Sequence, residues 1–99
     1  MLKIHRIIVP AGGAGYAVDM PQDAQVLSLT AMDDKIAIDC LAKSNAPLCK
    51  VWIEQAMADM ELLDNAKQQR TYLGCATFRA ADGTPPLVFH VFMREPGAP

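Results

Sequence analysis

Two runs of extended-structure formers, Gln25–Met32 and Lys35–Ala42, stand on either side of the dipeptide Asp33-Asp34. A two-residue polar break between such runs is the local signature of a β-hairpin. In the first run Leu27, Leu29 and Ala31 alternate with Val26, Ser28 and Thr30, and in the second Ile36, Ile38 and Cys40 alternate with Ala37, Asp39 and Leu41. Side chains on a strand point alternately to its two faces, so each strand has one strongly apolar face that must be covered. A chain built around this pair is a β protein.

The flanking segments extend the pattern. Lys3–Val9 is rich in isoleucine and stops at Pro10 and the run Ala11-Gly12-Gly13-Ala14-Gly15. No Lys-Ser/Thr and no helical pattern follows those glycines, so they read as a loop rather than a phosphate cradle. Tyr16–Met20 is a short extended piece ended by Pro21, and Leu48–Ile53 a further strand after the turn residues Ser44-Asn45-Ala46-Pro47. Thr71–Arg79 and Leu87–Met93 flank an Asp-Gly and Pro-Pro loop and are expected to pair. Leu87–Met93 is apolar on both faces, which suits a central or interfacial strand. Between the strands, Glu54–Ala66 is composed of Glu, Gln, Ala, Met and Leu with apolar residues at helical spacing, and predicts one short helix. The expected architecture is mainly β: a small antiparallel meander closing as a compact sandwich or partly open barrel, one domain over residues 1–99, with 94–99 a loose tail.

A chain of 99 residues with 52% hydrophobic and 20% charged residues can bury a modest core. Its net charge of -2 argues against duplex nucleic acid as a partner, which calls for a clustered basic surface. A single small anion needs only two or three donors and is compatible with that charge. Cys40, Cys49 and Cys75 have no zinc-site spacing and read as reduced, small apolar residues. The charged start Met1–Arg6 and the absence of a run near ~20 apolar residues point to a cytoplasmic protein that does not cross a membrane.

No catalytic constellation is legible. Asp39 reads as a solvated strand position, Asp59, Glu61 and Asp64 as a wet face, and Ser28 and Ser44 lack the elbow that exposes a nucleophile. His90, between Phe89 and Val91, reads as a structural or ligand hydrogen-bonding histidine. Trp52, the single tryptophan, has a core or subunit-interface reading and a functional one. In the functional one it stacks a purine while Lys50, Arg70 and Arg79 supply phosphate donors. A small β domain also has edges to cover, and a homo-oligomer is expected.

His5-Arg6-Ile7-Ile8, Val26-Leu27-Ser28-Leu29 with Lys35-Ile36, and Tyr72-Leu73-Gly74 leading to Leu87-Val88-Phe89-His90-Val91-Phe92 together resemble a family of short, functionally uncharacterised proteins of tailed bacteriophages and prophages. The resemblance covers residues 3–93, and the closing Leu-Val-Phe-His-Val-Phe string is its most specific part. The sequence departs from that pattern at Asp39, where a tryptophan is usual, and after Ile53, where a glycine-rich turn is usual. The resemblance implies a phage accessory protein acting in the host cytoplasm against host defence. The leading expectation is a non-enzymatic protein, without cofactor or metal, that sequesters a small nucleotide-derived signal at Trp52, Lys50, Arg70, Arg79 and His90. The alternatives are a protein inhibitor of a host defence effector or nuclease, and a virion or assembly accessory.

Overall fold

The computed structural model describes residues 1–13, 15–62 and 70–94. Seven strands run in the order β1 (Leu2–Pro10), β2 (Tyr16–Pro21), β3 (Gln25–Met32), β4 (Lys35–Lys43), β5 (Leu48–Ala56), β6 (Arg70–Phe78) and β7 (Leu87–Arg94). Every pairing is antiparallel. They form a three-stranded sheet, β1-β4-β3, and a four-stranded sheet, β2-β5-β7-β6. The β3–β4 hairpin turns through Asp33 at φ 52°, the left-handed conformation that tight two-residue connections demand and that aspartate tolerates better than most residues.

A meander is not what forms. Consecutive strands β1 and β2 lie in different sheets because Gly12 and Gly13, at φ 83° and 93°, swing the chain out of the first sheet. Strand β2 then pairs with β5, far along the chain. The expected central place of the last strand is observed, since β7 has β5 on one side and β6 on the other. Arg94 belongs to β7 rather than to a tail, and residues 95–99 lie outside those described.

Among the described residues there is no helix. Glu54–Ala56 complete β5, a turn follows with Asp59 at φ 69° and Met60 N donating to Met57 O, and residues 63–66 of the expected helix lie outside the described set. Helix-forming composition loses here to long-range partners. The Gln55 side chain is buried, accepts from Gly12 N at 2.7 Å and donates from Nε2 to Pro10 O at 2.8 Å. These two backbone groups sit where the β1 ladder has ended, and leaving either unpaired inside the protein would cost about 1–3 kcal/mol.

The core lies between the sheets. Val9, Ile36 and Ile38 from the first meet Met20, Val51, Ile53, Ala76 and Val91 from the second, all buried. Each large aliphatic among them contributes about 1.5–3 kcal/mol by leaving water. A bulge between Val26 and Ser28 shifts the phase of β3, so Val26, Leu29 and Ala31 pack on the core while Leu27 is exposed. The simple alternation that groups Leu27 with Leu29 therefore fails at one residue. A second bulge, between Tyr72 and Gly74, bends β6 where it meets β3 across the two sheets. Gly74 there has φ 132°, and a methyl group in its place would come within 3.4 Å of Leu29 Cδ1.

All three cysteines are free thiols; Cys40 is buried, whereas Cys49 and Cys75 are exposed. Asp39 is not merely solvated. It takes two hydrogen bonds from Arg6, at 2.7 and 2.9 Å, on the outer face of the three-stranded sheet, and that donor holds its carboxyl below the usual carboxylate range. No helix among the described residues is long and apolar enough to cross a membrane.

Candidate functional site

Strand parity assembles the site. Ile53 and Val91 face the core, so the residues alternating with them face outward from the four-stranded sheet. Their cross-strand partners can be followed row by row. Asp19 stands opposite Lys50; Ala17, Trp52, Arg94 and Arg70 make the next row; Glu54, Phe92 and Tyr72 the next; and Ala56, His90 and Cys75 the last. Lys50, Trp52, Arg70 and His90 thus share one face. Arg79 does not join them. It follows the end of β6 and lines a hollow with Phe78, Ala80, Thr84, Pro85 and Leu87, roughly 30 Å along the strand from Arg70.

The centre of the face is a charge cluster that sequence reading missed. Glu54 is only 6% exposed although it points away from the core. Arg70 Nε donates to Glu54 Oε1 at 2.9 Å, with Nη2 at 3.4 Å from Oε2, and Arg94 Nε lies 2.9 Å from the same Oε1 as an ion pair. A carboxylate can be buried in this way because two guanidinium groups replace its water. It in turn fixes both arginines in place. Beside it Lys50 Nζ meets Asp19 Oδ1 at 2.9 Å, an exposed pair. Among the described residues of this face three cations stand against two carboxylates, a local positive surplus in a chain whose net charge is -2.

Aromatic surface flanks the cluster. Trp52, 38% exposed, is no core residue of this chain. Tyr72 is exposed and lies against Phe92, with ring centroids 5.3 Å apart, and against His90, at 5.9 Å. Tyr72 Oη and His90 Nδ1 are 2.9 Å apart, so the hydroxyl fixes the ring and leaves Nε2 as the remaining polar atom of His90. Next to His90 is a shallow hollow of about 320 Å³ lined by Met57, Ala58, Pro86, Leu87 and Val88.

The arrangement offers flat apolar rings, a net positive charge with immobilised guanidinium groups, and one oriented imidazole. Those are the parts needed to hold an aromatic anion. Glu54 has both arginines against its carboxylate. No group of three or more His, Cys, Asp or Glu able to hold a metal ion occurs among the described residues. The signals for the missed residues were present in the sequence: Glu54 continues the alternation of Lys50 and Trp52, and Arg94 ends the alternation of His90 and Phe92. Comparison with family models, curated proteins and solved structures returns no match, so the reading of this face rests on its own geometry.

Proposed function

We propose that this is a non-enzymatic binding protein that takes a small nucleotide-derived molecule on the outer face of its four-stranded sheet. The base stacks on Trp52 or on the Tyr72–Phe92 pair, the phosphate is drawn to Arg70 and Arg94, and His90 supplies a further hydrogen bond. Lys50 adds charge at the rim, and Arg79 has no part. The observation that carries the reading is the row in which Trp52 stands opposite Arg94, with Arg70 next to it and Glu54 clamping both arginines. A pre-positioned guanidinium pair loses little freedom when an anion arrives. The resemblance to phage accessory proteins suggests the use: sequestration of a host defence signal in the host cytoplasm.

Trp52 is the only tryptophan, so its fluorescence reports on this face alone. Titration with mononucleotides, linear dinucleotides and cyclic nucleotides should quench it saturably for at least one class, and mass spectrometry should recover that ligand unchanged. A cleaved ligand would make the protein an enzyme. A flat titration across all three classes would remove the reading.

A further inference from the structure

Strand β1 is one of the two edges of the three-stranded sheet, β3 being the other, since among the described residues it pairs only with β4. Which of its backbone groups face outward follows from the ladder. Met1 O accepts from Ser44 N and Ala11 N donates to Asp34 O, each at the position opposite in the β1–β4 register. In an antiparallel pair a residue sends its N–H and C=O to the same side, and neighbours alternate. The odd-numbered residues of β1 therefore bond to β4, and the even-numbered ones, Leu2, Ile4, Arg6, Ile8 and Pro10, turn theirs outward. Pro10 fits this scheme, because its missing N–H lies on the side where no rung is lost. Its carbonyl is already taken by Gln55, as is Gly12 N, so the open edge ends at Ile8.

What remains is four successive outward residues, Leu2, Ile4, Arg6 and Ile8, whose backbone donors and acceptors pair with no strand among the described residues. Three of them carry exposed apolar side chains on the outer face: Leu2 at 65%, Ile4 at 59% and Ile8 at 49%. No bulge interrupts β1 against β4 to twist the edge away. We infer that β1 is a dimerisation edge whose occupant is β1 of a second copy of this chain, antiparallel about a two-fold axis.

The register is fixed by the same groups. Leu2 opposite Ile8 of the second copy, and Ile4 opposite Arg6 of the second copy, use all four outward residues twice over and give roughly eight backbone hydrogen bonds. The axis then passes at His5. A shift of two residues toward Pro10 sets Arg6 against Arg6, like charge on like, and matches Leu2 to a proline with no donor. The opposite shift leaves Ile8 unpaired. An odd shift sets outward groups against inward ones. In the favoured register each Arg6 keeps its own Asp39, 2.7 Å away, and lies over an isoleucine of the other copy, while Leu2 and Ile8 cover one another on the outer face. The contact is isologous and closes on itself, so it yields a six-stranded sheet and not a fibre.

The test is sedimentation of the full chain over a concentration series, with two edge variants. Ile4→Pro removes one outward N–H without breaking a β1–β4 rung, and Ile4→Lys places a charge in the seam. The wild type should pass from monomer to dimer with rising concentration, and each variant should raise the dissociation constant by about tenfold or more. Both variants should keep the wild-type circular dichroism. Register is read by mixing Leu2→Cys chains with Ile8→Cys chains, both carrying Cys49→Ser and Cys75→Ser, and adding a short bis-maleimide. Mixed cross-links should exceed those formed by either chain alone. A wild type that stays monomeric at millimolar concentration, a dimer indifferent to both edge variants, or cross-linking dominated by like chains would each overturn the inference.

Discussion

Removing the charge of Glu54 while keeping its shape, as in Glu54→Gln, separates a clamped charge cluster from a decorative one. In the wild type one carboxylate oxygen lies 2.9 Å from Nε of both Arg70 and Arg94, and the side chains of the three residues are 8%, 17% and 16% exposed. The glutamine leaves two cations whose Nε atoms both lie 2.9 Å from one oxygen, hence less than ~6 Å apart, with no anion between them, a repulsion of about 3 kcal/mol at an effective dielectric of about 20. Breaking one partner out of a buried pair typically costs about 3–5 kcal/mol, and the residual solvent access of the arginines places this case near the lower end. For a domain of this size a loss of about 3 kcal/mol lowers the melting temperature by roughly 12–24 °C. It moves the urea midpoint by about 1–3 M. The assay is equilibrium urea unfolding followed by Trp52 fluorescence and, independently, by circular dichroism, with Asp19→Asn as the comparison on the same face. Asp19 and Lys50 are more than half exposed, so that change should be worth less than about 1 kcal/mol. Equal and small shifts for Glu54→Gln and Asp19→Asn would refute the argument that Glu54 is held in a desolvated clamp.

Native protein should react with a thiol reagent at Cys49 and Cys75 and not at Cys40, which is buried and whose thiol is pushed up by that burial and by Asp39; peptide mapping after brief labelling tests this, and rapid labelling of Cys40 would contradict the packing between the sheets. Gly74→Ala should destabilise by about 1–3 kcal/mol in thermal unfolding, because φ 132° is a conformation that side-chain-bearing residues rarely adopt. A neutral outcome would mean that Gly74 does not hold that conformation.

Much of the fold was legible because it is local. All seven extended segments and the β3–β4 hairpin follow from alternation and turn residues, and the expected boundaries differ from the observed ones by a few residues. The failed helix and the half-seen site share one cause. Glu54 and Gln55 are helix formers by composition, yet each occupies a strand because its partners come from elsewhere: Arg70 and Arg94 for one, Pro10 and Gly12 for the other. Propensity carries no information about such partners. The site was half legible for the same reason. Trp52, Lys50, Arg70 and His90 could be named as residue types, and Arg79 with them, but only the pairing of β5, β7 and β6 decides which of them meet.

The Gln55 side chain also ties the two halves of the chain together. Its two partners are 43 and 45 positions away, at the point where the chain leaves one sheet for the other. The three-stranded sheet is drawn from the first 43 residues, whereas β2 pairs with β5 and the corner before it is held by Gln55. One amide from the second half therefore serves as a latch on the corner where the first half changes sheets.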